Sequence, residues 1–376
     1  MVVLTVVTLH LLTLAPLAPA GALPCGAPPL LGDDWESDTP SDAHIDADGL
    51  CTVLRGVAAG PDNLHSLLIA RHGRLIAELY RSGSDRSIYS LSARKVDFGP
   101  ADRHDMRSIS KSVVGLLAGI VLEEGKLPAL STPIADLYPE YPDLREPGRR
   151  SITLEHLLTM SSGLEWHESV ASYGSPANDE TRLFWDSSPI HFVLSRPIAA
   201  PVGRQFNYNG GGTAVVADVL VRASKTPLRE LARTRLFEPL GITDWEWVSD
   251  LNGRPVAFAG LRLKPRDLLK FGRMMLDRGQ WQGRQIVPAE WVAQSMRPHL
   301  PTGSGLGYGY FWWTGSVAWQ SKQVPWAAAF GNGGQRLFIV PDLDLAVVIT
   351  AGAYNDPSIA RKEAGVFRQA VATVQR

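Results

Sequence analysis

Ser108-Ile109-Ser110-Lys111 heads an apolar run that contains Val113, Val114, Leu116, Leu117, Ile120, Val121 and Leu122. If that run is a helix, a spacing of three places Ser108 and Lys111 on one face. A serine hydroxyl is a weak nucleophile until a base takes its proton, and a lysine can be that base when its surroundings lower its pKa. Burial beside the hydroxyl is expected to do this for Lys111. A serine at a helix start also offers its own N–H and the positive end of the helix dipole to a developing oxyanion. The plainer reading is a helix N-cap with a solvated lysine nearby. So short a pattern arises about once by chance in a chain of this size. Ser92-Ala93-Arg94-Lys95 is such a match, but no apolar stripe follows it, and Asp97, Gly99, Pro100 and Asp102 mark a loop.

Two further segments carry residues suited to the same chemistry. Pro201 to Gly212 is turn-rich and launches a helix, and it holds Tyr208, a phenol that beside a lysine can relay a proton. Its Gly210-Gly211-Gly212 is not a phosphate loop, because Val215 stands where the last glycine would be. Gly331-Asn332-Gly333-Gly334-Gln335 runs into a strand, and residues without side chains there let a substrate approach the backbone and turn an N–H toward it. A glycine bulge at a sheet edge fits the same residues. Gly210, Gly331, Asn332, Gly333 and Trp166 are the candidate substrate-facing residues. Trp185 and Trp313 are further pocket walls or, more ordinarily, packed aromatics. His104 and His167 lack ligand-like spacing and read as core or surface histidines, so no metal and no cofactor are expected.

The elements that must hold these residues are legible at both ends of the chain. Leu64 to Tyr80 reads as a hairpin around His72-Gly73, and Arg336–Val340 with Leu345–Thr350 reads as a second pair. A helix is expected over 359–374. Helical stretches fall at 111–124, 152–160, 211–223, 265–278 and 288–296. The expected fold class is therefore α/β of the α+β type. An antiparallel sheet made by the N- and C-terminal segments is flanked by helices, with a large, mainly helical insertion over about 105–300.

The 376 residues are 45% apolar, 20% charged and carry a formal charge of -1. That composition buries a core and lacks the basic surface nucleic acid requires. Residues 1–31 contain no charged side chain, and the A-x-A sites near Ala20 suggest a signal peptide over 1–22 and a secreted or periplasmic protein. Left uncleaved, the same run would anchor the chain to a membrane. An irregular arm is expected over 23–62 and the hydrolytic domain over 63–376. Cys25 and Cys51 either pair or remain free thiols. The chain has no G-x-S-x-G elbow and no H-E-x-x-H.

Taken in order, these motifs resemble the serine β-lactamase-like superfamily, which holds class C β-lactamases, DD-peptidases, esterases and 6-aminohexanoate-oligomer hydrolases. Ile152 to Leu164 is similar to its I-T-x-x-H-L-L-x-x-x-S-G-L segment, and Leu236 to Ile242 to its L-F-x-P-L-G-I. The resemblance implies a β-lactamase/transpeptidase-like fold. It also implies an acyl-enzyme with Ser108 as nucleophile, Lys111 as base partner and Tyr208 as proton relay, and an oxyanion hole from the Ser108 and Gly334 N–H groups. Two departures stand out. Tyr208-Asn209-Gly210 lacks the last amide of Y-x-N, and Gly331-Asn332-Gly333 lacks the cation of K-T-G. Both point toward small ester or linear amide substrates. A β-lactamase or D-alanyl-D-alanine carboxypeptidase is the enzymatic alternative, and a catalytically inactive sensor is the alternative from a different class.

Overall fold

Leu64–Arg71 (β1) is buried along its whole length, because it lies in the interior of a sheet covered on both faces. In this computed structural model residues 25–376 are described, apart from Tyr89, Leu91 and Ser169, so the expected leader over 1–22 lies outside the described residues. β1 pairs antiparallel with Arg74–Tyr80 (β2) on one side and with Leu345–Ala351 on the other, so the two ends of the chain share a sheet. Among the described residues the sheet has eight strands. Beyond Leu345–Ala351 it continues through Gln335–Val340, Lys322–Gly331, Trp313–Trp319, Gly307–Tyr308 and Leu300–Pro301, all antiparallel. The four strands beyond the terminal pairs carry no clean alternation in sequence, which is why the expected sheet was smaller.

Alternate residues of β1 serve two cores. Leu68 and Ala70 face a core shared with the helical insertion, while Leu67 and Ile69 face a second one. Ala47–Ala59 (α1) and the terminal helix Ile359–Ala372 cover that second face. Phe367 stacks on Phe338 of the sheet at 4.0 Å. The segment read as an irregular arm thus contains a helix, built on Leu50, Val53, Leu54 and Val57. A disulfide joins Cys25 to Cys51 on α1, settling the open question of their pairing. Buried Arg266 holds the rest of the arm, donating to Glu78 of β2, to Asp33 and to the Pro29 carbonyl.

Ile109–Glu123 (α2) runs through the first core, and every residue from Ile109 to Val121 is buried. Gly115 and Gly119, four apart on one face, let other elements close onto it. A Cβ on Gly119 would lie 2.3 Å from Cδ1 of Trp291, whose Nε1 donates to the Gly115 carbonyl at 2.9 Å. Helix propensity favours alanine over glycine by about 1 kcal/mol, but overpacking a filled core costs about 1–3 kcal/mol, so packing should win. Gly119→Ala is expected to lower the thermal midpoint measured by circular dichroism. An unchanged or raised midpoint would mean that Trp291 is not locked against α2.

Candidate active site

Ser108 sits at the head of α2 because the turn before it is tied to a short neighbouring strand. The Met106 N–H donates to the Leu261 carbonyl at 2.8 Å, the Leu261 N–H donates to Ser110 Oγ at 3.0 Å, and Ser110 Oγ donates to the Arg107 carbonyl at 2.7 Å. Arg107 adopts φ 50°, a left-handed conformation that costs a residue bearing a Cβ on the order of 1 kcal/mol and is retained where neighbours impose it. Among the described residues no carbonyl accepts from the Ser108 N–H. That donor is free to meet a substrate oxygen.

One turn on, the Lys111 ammonium donates to Ser108 Oγ at 2.9 Å, to the Phe258 carbonyl at 3.0 Å and to Glu180 Oε2 at 3.2 Å. Glu168 Oε1 lies 3.5 Å away. Burial alone would lower the lysine's pKa, but Glu168, Tyr208 and Glu180 outweigh it and the net shift is upward. The expectation of a lysine made neutral by burial is therefore not met. The reason is two carboxyl groups that the S-x-x-K spacing does not reveal.

Tyr208 arrives on the loop before the helix Gly210–Ser224, which Asn209 caps by accepting the Gly212 N–H at 3.0 Å. The Asn207 N–H donates to the Met160 carbonyl at 2.8 Å, so the loop rests on the segment Ile152–Leu164. Within that segment Thr153 and His156 form a reciprocal cap. Burial pushes the Tyr208 pKa up against the opposing pull of Lys111 and of the Ser108 side chain. The Lys111 ammonium lies 4.9 Å from the Tyr208 ring centroid, and Trp313 stacks on that ring at 5.7 Å. Ser108, Lys111 and Tyr208 therefore meet in space.

The remaining candidates divide. Asn332 lines the cleft that contains Ser108, about 350 Å³ in volume, together with Arg86, Arg107, Tyr173, Glu180 and Trp185. Gly331 packs on the backbone of Met106, where a Cβ would lie 2.3 Å from the carbonyl oxygen. Gly333 lies against the Tyr354 ring. The Gly334 N–H is directed to the Gly331 carbonyl at 3.4 Å, and Gly334 is not among the residues lining the cleft. Trp166 is buried behind the site, its Nε1 donating to Glu168 at 2.9 Å. Gly210 is buried and donates its N–H to Glu168 Oε2 at 2.6 Å. His104 is a core residue stacked on Phe98, its pKa pushed down to about 3 by burial. His167 is half-exposed beside Asp179. Ser92 and Lys95 are both exposed around a short strand, so no second serine–lysine site forms there. A larger, mainly apolar cavity of about 510 Å³ lies behind Phe258 and does not include Ser108.

Sequence reasoning missed Glu168, Glu180, the Phe258 carbonyl and the cleft arginines Arg86 and Arg107. Arg107, next to the nucleophile, was in plain view. The two glutamates reach Lys111 from 57 and 69 positions downstream, with no local pattern to announce them.

Known proteins similar to this chain include hydrolases and esterases. The 6-aminohexanoate-dimer hydrolase of Paenarthrobacter ureafaciens is 25% identical over 343 residues, covering 85% of this chain and 80% of that protein. Esterase EstB of Burkholderia gladioli is 26% identical over 193 residues, 48% of this chain and 46% of its own. Among solved structures, EstCE1, a hydrolase with promiscuous acyltransferase activity, superposes with a TM-score of 0.66 at 17% identity, covering 88% of this chain and 99% of that one, and so shares the fold. The family model described as Beta-lactamase matches residues 56–369. That span takes in β1, the Ser108–Lys111 helix, the Tyr208 loop and most of the terminal helix, and the chain belongs to the Beta-lactamase family.

Proposed function

We propose that the protein is a serine hydrolase that cleaves an ester or a linear amide through an acyl-enzyme. The observation that carries this reading is the 2.9 Å contact of Lys111 Nζ with Ser108 Oγ, in a site where the same ammonium lies 4.9 Å from the Tyr208 ring centroid. Ser108 Oγ would attack the substrate carbonyl carbon, its proton passing into the Lys111–Tyr208 network. The carbonyl oxygen would take the displaced electron pair opposite the Ser108 N–H and the head of α2. Collapse would expel the leaving group with a proton from Tyr208, and water would release the acyl group by the same steps in reverse order.

Small esters and linear amides are favoured over β-lactams. The Y-x-N amide is missing at Gly210, and the relatives in sequence include a 6-aminohexanoate-dimer hydrolase and esterases. The cleft does hold two cations, Arg86 and Arg107, although neither comes from the Gly331–Gly333 segment. We also place the protein outside the cytoplasm, since the Cys25–Cys51 disulfide suits an oxidising compartment.

Peptide mapping after fluorophosphonate treatment should find the adduct on Ser108, and an adduct on Ser92 alone would overturn the assignment. Ser108→Ala should lose at least about a thousandfold in kcat on p-nitrophenyl butyrate with its thermal midpoint kept; undiminished turnover would refute the mechanism. Tyr208→Phe should lower kcat by about 100-fold or more, because the ring remains packed on Trp313 while the proton carrier is gone. Hydrolysis of a chromogenic cephalosporin as fast as that of p-nitrophenyl butyrate would favour the β-lactamase reading instead.

A further inference from the structure

The Lys111 ammonium has three hydrogens, and three acceptors lie within 3.2 Å of it: Ser108 Oγ, the Phe258 carbonyl and Glu180 Oε2. An ammonium has no lone pair. Before Lys111 can take the serine proton, one of its own must leave. A peptide carbonyl cannot keep a proton near neutral pH, and the serine is the group being deprotonated. A carboxyl group is the partner that can receive it.

Two carboxyls are placed for this. Glu168 lies in the loop after Leu164, and Glu180 lies on the helix Asp179–Trp185. The buried Asn178 side chain locks the two segments together, its Nδ2 donating to the Glu168 carbonyl at 2.9 Å and its Oδ1 accepting the Glu180 N–H at 2.9 Å. Glu168 accepts from the Gly210 N–H at 2.6 Å, from Trp166 Nε1 at 2.9 Å and from the Tyr173 hydroxyl at 3.0 Å. Glu180 is hydrogen-bonded to Glu168, and burial together with that neighbour holds its carboxyl well above the usual carboxylate range. The two carboxyls stand together opposite the ammonium, placed to share one proton between them.

Gly210 explains why the pair fits. A Cβ there would lie 2.7 Å from Glu180 Oε2, 3.0 Å from Glu168 Oε2 and 3.4 Å from Lys111 Nζ. The position that carries an amide in Y-x-N is here vacated, and two carboxyl oxygens converge on the space beside it.

We propose that Glu168 and Glu180 form a single proton-holding unit that accepts the serine proton through Lys111 during acylation. This rests on the serine-hydrolase reading. As Ser108 Oγ bonds to the acyl carbon, Lys111 passes one proton to the carboxyl pair and takes the Ser108 proton in its place. The lysine ends as it began, an ammonium. The pair becomes neutral while the negative charge appears on the carbonyl oxygen, so the site's positive charge grows as the oxyanion forms. On collapse the proton returns through Lys111 and Tyr208 to the leaving group. The other titratable or charged groups acting on the pair and Tyr208 are Tyr173, Tyr308 and Arg336. Asp179 is instead engaged by Arg182, Arg196 and His167.

The test is the pH profile of kcat/KM on p-nitrophenyl butyrate for the wild type, Glu168→Gln, Glu180→Gln and the double variant. Activity in the wild type should fall at low pH, where the pair gains its second proton and can accept no more. The double variant should lose about 100-fold or more near neutral pH. Its acid limb should also move up by about one unit or more, because an unassisted lysine must then lose its proton to solvent. A double variant whose limb coincides with that of the wild type would reduce the pair to a packing role and overturn the proposal. If the double variant does not fold, Gly210→Ala decides the question. A methyl group wedged against the two carboxyls should lower kcat and displace the same limb, and an unmoved limb contradicts the proposal. Absence of fluorophosphonate labelling at Ser108 in the wild type would instead remove the hydrolase reading beneath it.

Discussion

A charged lysine buried against a serine is the constraint around which this molecule is arranged. An ammonium taken out of water is costly unless it is paired and fully hydrogen-bonded, and Lys111 is 1% exposed. Each of its partners comes from a different part of the chain: Ser108 from the same helix, the Phe258 carbonyl from the segment before Leu261–Leu263, Glu168 from a loop and Glu180 from a short helix. Such a site exists only when the distant segments of the insertion are folded onto one another. Its acidic neighbours outweigh the effect of burial and push the lysine's pKa up, which favours the ammonium form.

The fold meets that constraint with rigid parts. α2 is buried on all sides, so its first turn cannot drift, and the left-handed Arg107 is fixed by the Ser110 hydroxyl, which donates to its carbonyl and accepts from the Leu261 N–H. The Tyr208 loop is pinned to Met160 and wedged between Trp313 and the lysine. Asn178 ties together the backbones that carry the two glutamates. Each of these side chains is thus held by an element end or a cap. This is the arrangement expected where geometry must be kept to within fractions of an ångström.

How much of this could be read from the sequence follows from the range of each interaction. Ser108 and Lys111 are one helical turn apart, and a local spacing rule finds them. The paired terminal strands are short apolar runs around turns, so half of the sheet was equally visible. Tyr208 was visible as a loop phenol, but its place beside Ser108 came from resemblance, because 97 residues separate it from Lys111. The glutamates had no local signature at all. The helix Ala47–Ala59 did have one, in Leu50, Val53, Leu54 and Val57, but the Pro, Gly and Asp around it made the segment look irregular. The strand Lys322–Gly331 went unseen because Pro325 and three consecutive alanines break its alternation. The least legible feature was the charge state of Lys111, because it depends on groups brought together by tertiary folding.

That charge state is also the most direct point of attack. Nitrogen NMR of protein carrying ¹⁵N-labelled lysine side chains, with the Lys111 signal assigned by its loss in Lys111→Ala, would report the protonation of Nζ as pH is raised. The structure predicts an ammonium signal for Lys111 that persists from neutral pH through mildly alkaline conditions. A signal that titrates to the free amine near or below neutral pH would contradict it, and would return the lysine to the role of a simple neutral base.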